Sequence, residues 1–100
     1  MNHGPETAFT QARAHLVNRN GGWHLFVALS VEKHWPTHYF TSPLAPTVQE
    51  RSQALTELNF ALTDGAEWLW TEDSEQIDEP SSPVILIAAA PVVSILGGTA

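Results

Sequence analysis

Hydrophobic and polar residues alternate along two neighbouring stretches near the start of the chain. The alternation runs over residues 10–18 and again over residues 23–31, and a period of two residues is typical of a half-buried β-strand. Asn20 and Gly21 lie between the two stretches, and this dipeptide favours the type I′ turn of a two-residue hairpin. The pattern therefore predicts a β-hairpin in which Arg19 pairs with Gly22.

The position of the turn determines which side chains share a face of the hairpin. One face is expected to be wholly apolar, with Leu16 opposite Leu25, Ala14 opposite Val27 and Ala12 opposite Leu29. The other face is mixed, with Val17 opposite His24, His15 opposite Phe26 and Arg13 opposite Ala28. Because Phe26 is large and apolar, we expect it to be exposed on the mixed face unless another surface covers it.

The apolar spacing changes to a helical period over residues 47–63, which predicts a single amphipathic helix. Its apolar side comprises Val48, Ala54, Leu55, Leu58, Ala61 and Leu62. Thr47 and Glu50 match a capping box at the start, and Gly65 follows the predicted end. Phe60 falls on the polar side, so we expect it either to be covered by a loop at the helix end or to belong to a partner surface.

Three further stretches have the composition of strands. Residues 34–41 are rich in aromatic residues and threonine, and Pro36 favours an edge strand or one that begins after the proline. Residues 66–71 alternate, whereas residues 84–90 are apolar on both faces, which is typical of a strand covered on both sides. The element order is therefore β-β-β-α-β-β.

This order predicts an α+β fold, with a mainly antiparallel five-stranded sheet and one helix packed on one face. A length of 100 residues fits a single domain over residues 1–100. Within it we expect a flexible N-terminus at residues 1–9, an acidic loop at residues 72–83 and a frayed C-terminus at residues 97–100. One helix cannot cover both faces of such a sheet, so we expect a homodimer through the second face.

Charge is distributed unevenly about a net value of −7. All four basic residues and all five histidines lie within residues 1–51, whereas residues 52–100 hold eight of the eleven acidic residues. A surface of this kind repels phosphate backbones, so we expect no direct nucleic-acid binding and a protein partner of basic character. The absence of a signal-peptide pattern and of a long apolar run predicts a cytoplasmic protein that does not enter a membrane.

Candidate chemistry in the sequence is sparse. There is no cysteine, no phosphate-binding glycine motif and no serine in a nucleophile context, so we expect a non-enzymatic protein with no catalytic residues and no cofactor. His15 and His24 are expected to lie diagonally on the hairpin, but a metal site needs further donors and Pro36 separates His34 from His38. The acidic loop has no glycine at the position that a calcium loop requires. We therefore predict no metal site.

These observations favour a small acidic protein-interaction module. Its candidate interaction residues are Phe26, Phe60, Glu67, Glu72, Asp73, Glu75, Asp78 and Glu79. One alternative is an acidic nucleic-acid mimic that inhibits a DNA-binding protein, with these carboxylates in place of phosphates. Another is a small-molecule-binding module that uses the surface of Trp68, Trp70 and Tyr39.

Two short stretches of the second half of the chain resemble a known group of proteins. They are WLWTEDSE at residues 68–75 and PSSPV at residues 80–84. Together with the strand GWHLFVAL and the helix start ERSQAL, they resemble a family of small, acidic, uncharacterised actinobacterial proteins. The resemblance covers most of residues 22–88. It implies no activity and no catalytic residues, because that family has none assigned.

Overall fold

A computed structural model describes residues 11–29 and 34–95 of the chain. Within these residues it contains six strands and one helix: β1 (Gln11–Arg19), β2 (Gly22–Ala28), β3 (Thr37–Tyr39), α1 (Val48–Glu57), β4 (Phe60–Leu62), β5 (Leu69–Ser74) and β6 (Val84–Ser94). The predicted α+β fold is confirmed. The predicted flexible N-terminus and frayed C-terminus lie outside the described residues.

All pairs of neighbouring strands are antiparallel, and the strand order is β3-β2-β1-β6-β4. Strand β6 is 11 residues long, and one edge of it pairs with β1. Its other edge pairs first with β5 and then with β4. The sheet therefore has six strands rather than the five predicted, and the additional strand is β4.

The hairpin of β1 and β2 has the register predicted from its turn. Arg19 pairs with Gly22, Leu16 with Leu25 and His15 with Phe26. Asn20 and Gly21 both have positive φ, at 56° and 80°, as a type I′ turn requires. Strand β3 is short, begins after Pro36 and lies at the sheet edge, as Pro36 predicted.

Helix α1 begins as predicted but ends earlier. The capping box is present, because the Thr47 hydroxyl accepts from the Glu50 N–H at 3.1 Å and the Glu50 carboxylate accepts from the Thr47 N–H at 2.8 Å. The prediction that the helix continues to residue 63 is wrong, because α1 ends at Glu57 and Asn59 takes a φ of 73°. A residue in this left-handed region reverses the chain, which then enters β4.

Strand β6 passes through Pro91 without interruption and extends to Ser94, beyond the apolar run of residues 84–90. The N–H and C=O of a strand residue point to the same neighbouring strand, and the Pro91 carbonyl accepts from Thr63 N–H at 3.2 Å, on the β4 side. The side of Pro91 that lacks an N–H therefore faces the gap along β6 between its pairing with β5, which ends at Ala89, and its pairing with β4, which starts at Val92. The Thr63 carbonyl opposite Pro91 accepts from the Ala66 N–H at 3.0 Å instead, so the proline leaves this acceptor paired.

The sheet has two different faces. We call the face against α1 the helix face, and the opposite face the outer face. The helix face holds the main core, whose fully buried members include Leu16, Leu25, Val27, Leu55 and Val92. The outer face consists of the alternate residues of the same strands, which are half-buried or exposed.

Candidate interaction surfaces

Aromatic side chains form a row across the outer face. Five of them contact one another ring to ring, and we call them the aromatic row: His15, His24, Phe26, Trp35 and Tyr39. The Phe26 ring stacks between His15, at a centroid distance of 5.0 Å, and Trp35, at 5.6 Å. Stacked rings of this kind contribute about 0.5–1.5 kcal/mol per pair beyond the area they bury. The row is therefore an ordered, rigid part of the face.

Trp35 is held in the row by the chain that leads into β3. Its Nε1–H donates to the Leu29 carbonyl at 3.0 Å, and its own carbonyl accepts from the Thr37 hydroxyl at 3.0 Å. The sequence placed Phe26 on this face but did not place Trp35, because Trp35 lies outside the strands and no turn residue indicates the register of β3. The side chain of Trp35 remains 46% exposed.

Both histidines of the aromatic row have a lowered pKa. Desolvation by burial is the main cause of each lowered pKa. The positive charge of Arg13 lowers the pKa of His15 further, and the positive charge of Arg19 lowers that of His24. The lowered pKa favours the neutral form of both imidazoles at pH 7. At neutral pH the row behaves as an apolar surface.

Strands β5 and β6 extend the outer face with further apolar side chains. Ile87 lies between Val17 of β1 and Thr71 of β5, and Leu69 pairs with Ala89. The expectation that both faces of residues 84–90 are covered is wrong. On the helix face Ala88 and Ala90 are fully buried but Val84 and Leu86 are exposed, and on the outer face Ile87 and Ala89 are half-buried.

Charged groups of the outer face lie towards its ends. Arg13 is exposed at one end. At the other end Arg19 binds Glu75 through two contacts of 2.8 Å, and Asp73 pairs in register with Ile85. The Arg19 guanidinium lowers the pKa of Glu75 by hydrogen bonding, which keeps this carboxylate ionised. Among the described residues these four charges are two positive and two negative, so they balance one another.

An arginine and two tryptophans lie together on the helix face. Arg51 is 8% exposed, its Nε–H donates to the Pro46 carbonyl at 3.0 Å, and its guanidinium lies 5.3 Å from the Trp68 ring centroid and 5.7 Å from that of Trp70. The Trp70 ring in turn meets Trp23 edge to face at 6.1 Å. The sequence did not predict this cluster, because Arg51 occupies the apolar side of an amphipathic helix and only its tryptophan neighbours explain that position.

The predicted acidic residues do not form one surface. Glu72 and Asp73 lie within β5 on opposite faces, Glu75 is bound to Arg19, and Asp78 and Glu79 lie in the connection to β6. Residues 72–74 are thus strand, and the predicted acidic loop is shorter than residues 72–83. Glu67 is exposed just before β5.

Two other expectations about surfaces are corrected. Phe60 begins β4 and is 7% exposed within the core, so it offers no surface to a partner. Trp68 and Trp70 contact Arg51 on the helix face, whereas Tyr39 stacks with His24 on the outer face. These three aromatic residues therefore do not form a single binding surface.

Side chains that could bind a metal are not brought together in the described ranges. No group of three or more histidines and carboxylates lies close enough there to hold a metal ion. An open pocket is lined by Ala12, Arg13, Thr63, Pro91 and Val92, and Arg13 is its one ionisable group. Within residues 11–29 and 34–95, no helix has the length and apolar character needed to cross a membrane.

Comparison with known proteins identifies a family but no function. A search of curated proteins and a search of solved structures each found no match. The predicted membership of a family without assigned activity is confirmed. That the family is actinobacterial stays a prediction. A family model covers residues 10–100, which is nearly the whole chain, and the protein therefore belongs to DUF6303, a family of unknown function.

Proposed function

We propose that this protein is a non-enzymatic protein-interaction module that acts as a homodimer, with the outer face of its sheet as the dimer interface. The observation that carries the proposal is the uncovered aromatic row. The five rings in contact and the neighbouring Ile87 face away from α1, and no described helix or strand packs on them. An apolar patch of this size on an ordered sheet is typical of an interaction site.

The size of the face suits a second copy of the chain. With the observed strand lengths, a rise of about 3.3 Å per residue and a spacing of about 4.8 Å between strands give the face an area of about 600 Å². A standard interface buries about 800 Å² per partner, so the outer face alone supplies most of one. Two such faces pack about 10 Å apart as an aligned sandwich.

The charge of the face also favours a second copy. The chain has a net charge of −7, so two molecules repel each other over most of their surfaces. On the outer face Arg13 and Arg19 balance Asp73 and Glu75, and these groups lie towards its ends. Two copies that meet by this face therefore bring together neutral, apolar surfaces and keep the remaining acidic residues in solvent.

The test is the solution mass of the purified chain, measured by light scattering over a range of concentrations. We expect about 22 kDa, twice the chain mass of 10.9 kDa. Ile87→Lys places a charge in the outer face, and we expect it to give a folded monomer. The matched control is Leu86→Lys, because the neighbouring side chain points to the opposite face and is already 38% exposed.

Two results would contradict the proposal. One is a monomeric wild-type chain at a concentration of about 0.1 mM, where interfaces of standard size are occupied. The other is an Ile87→Lys variant that remains dimeric. Circular dichroism on both variants establishes that any loss of dimer is not a loss of fold.

The alternative functions receive less support from the positions of their residues. A nucleic-acid mimic requires carboxylates spread over one rigid surface, but here Glu72 and Asp73 point to opposite faces and Glu75 is neutralised by Arg19. A small-molecule site formed jointly by Trp68, Trp70 and Tyr39 would need residues from both faces of the sheet. The bacterial, cytoplasmic setting expected from the sequence suits an interaction module and stays a prediction.

A further inference from the structure

Strand β5 has one unpaired edge. It pairs with β6 on one side, and no described strand lies on its other side. The Glu75 N–H donates to the Pro83 carbonyl at 2.9 Å, so the odd-numbered residues of this ladder direct their backbone groups towards β6. The N–H and C=O groups of the even-numbered residues Trp70 and Glu72 therefore point away from the sheet, into solvent.

The free edge is exposed along its whole length. All six residues of β5 are exposed, including Leu69 at 60% and Trp70 at 48%. The third even-numbered residue, Ser74, already has its N–H bonded to the Asp73 carboxylate at 2.8 Å. The available backbone groups are thus those of Trp70 and Glu72, which is enough to begin pairing with an added strand.

The charges of β5 select the kind of strand that fits this edge. Glu72 and Asp73 are adjacent in β5 and project to opposite faces, while Glu75 is bound to Arg19. Antiparallel pairing of β5 with the β5 of a second copy would bring these carboxylates close to one another, and like charges opposite each other destabilise a sheet. A strand with basic side chains would instead be attracted.

We infer that the free edge of β5 binds an extended, basic segment of a partner protein by strand addition. Because neighbouring residues of a strand project to opposite faces, two consecutive basic residues in the segment meet Glu72 on one face and Asp73 on the other. Apolar residues flanking this pair lie against Trp70 and Leu69. The inference rests on the proposed function as an interaction module, but it uses the backbone edge of β5, whereas the proposed dimer uses the outer face. Leu69 and Asp73 lie at the border of the two.

The experiment uses the full chain and the peptide Val-Val-Thr-Arg-Lys-Thr-Val-Val, which places a basic pair at its centre in either strand direction. Hydrogen exchange by NMR reports the outward N–H groups directly. We expect the peptide to slow exchange at Trp70 and Glu72 in the wild-type chain. The control peptide, in which Glu-Asp replaces Arg-Lys, is expected to leave the exchange rates unchanged.

Two substitutions at one position separate backbone pairing from charge. Glu72→Gln keeps the outward N–H and removes the carboxylate, and we expect binding to weaken about two- to fivefold and to become less sensitive to salt. Glu72→Pro removes the N–H as well, without removing a bond to β6, and proline is accepted at such edge positions. We expect this variant to bind no peptide.

The results that overturn the inference are distinct from those that overturn the dimer. Unchanged exchange at Trp70 and Glu72 in the wild-type chain, or wild-type affinity in a folded Glu72→Pro variant, would show that strand addition does not occur. The exchange measurement on the wild-type chain decides the question even if the proline variant does not fold. The solution mass of each variant is measured in parallel, because Glu72 lies off the outer face and its substitution is expected to leave the dimer intact.

Discussion

His15 and His24 show how the outer face depends on the protonation of single residues. Their rings stack on Phe26 at 5.0 and 5.9 Å, and each lies near an arginine that lowers its pKa further. A protonated imidazole would place a second positive charge beside Arg13 or Arg19 and would lose part of its hydration. The neutral form is therefore the one that suits the aromatic row.

The free energy of unfolding should consequently fall when the solution is made mildly acidic. Because the folded-state pKa of each histidine lies below 6.5, the unfolded chain takes up protons first as the pH falls. This stability is fully present above pH 6.5 and is lost as the pH falls from 6.5 to the folded-state values. We expect a lower midpoint of urea unfolding at about pH 5.5 than at about pH 7.5, a range above the ordinary titration of carboxylates.

A double substitution of His15 and His24 by Gln should remove most of this pH dependence. The remaining histidines with described surroundings include His38, which lies 3.6 Å from Glu57. An unchanged pH dependence in the double variant would mean that other groups cause it.

Arg51 illustrates a residue whose environment is not evident from local sequence. The helical pattern placed it among apolar residues, and the structure places its guanidinium against Trp68 and Trp70 with one bond to the Pro46 carbonyl. Arginine suits this position because its planar group stacks on aromatic rings and is more weakly hydrated than an ammonium group. The cluster ties the start of α1 to the chain that enters β5.

Replacing Arg51 by Met should therefore destabilise the protein although an unbranched, largely apolar side chain is kept. The variant loses one hydrogen bond and two cation–π contacts, and we expect a cost of about 1–3 kcal/mol in the free energy of unfolding. The matched control is Gln53→Met in the exposed part of the same helix, with an expected change within about 0.5 kcal/mol. Equal effects of the two substitutions in urea denaturation would contradict the role given to the cluster.

At the scale of elements, the end of α1 depends on Asn59. Its φ of 73° lies in a region that asparagine and glycine tolerate and β-branched residues avoid. We expect Asn59→Gly to change stability by less than about 0.5 kcal/mol and Asn59→Val to cost about 1–2 kcal/mol, both measured by urea denaturation. If the valine variant were as stable as the glycine variant, the left-handed turn would not be what ends the helix.

The hairpin turn and the end of α1 show why the sequence predicted some elements correctly and others not. The hairpin register followed from Asn20 and Gly21 because turn chemistry and side-chain alternation agree locally. The end of α1 did not follow, since Leu58, Ala61 and Leu62 continue the helical period and Gly65 resembles a stop signal. Strand β4 has three residues, and it exists because β6 offers it an edge, which is a non-local cause. Phe60 was misplaced for this reason.

At the scale of the whole molecule, β1 and β6 form the central pair of the sheet although they lie at opposite ends of the chain. Their register runs from Gln11–Val93 to Asn18–Leu86. Neither a turn residue nor a periodic pattern indicates such a pairing, so the sequence predicted the strands without their order. The pairing brings Val17, Ile87 and the aromatic row onto one continuous face. Phe26 was the member of that face foreseen as an interaction residue, because the hairpin alone places it.

A dimer through this face makes the thermal stability of the chain depend on its concentration. Folded dimer and unfolded monomers are linked by mass action, so a hundredfold increase in chain concentration should raise the unfolding midpoint by about 5 °C. In the Ile87→Lys variant the same increase should leave the midpoint unchanged, whereas Leu86→Lys should behave as the wild-type chain does. The measurement is differential scanning calorimetry at several concentrations. A wild-type midpoint independent of concentration would contradict the dimer, because mass action requires the midpoint of a folded dimer to rise with concentration.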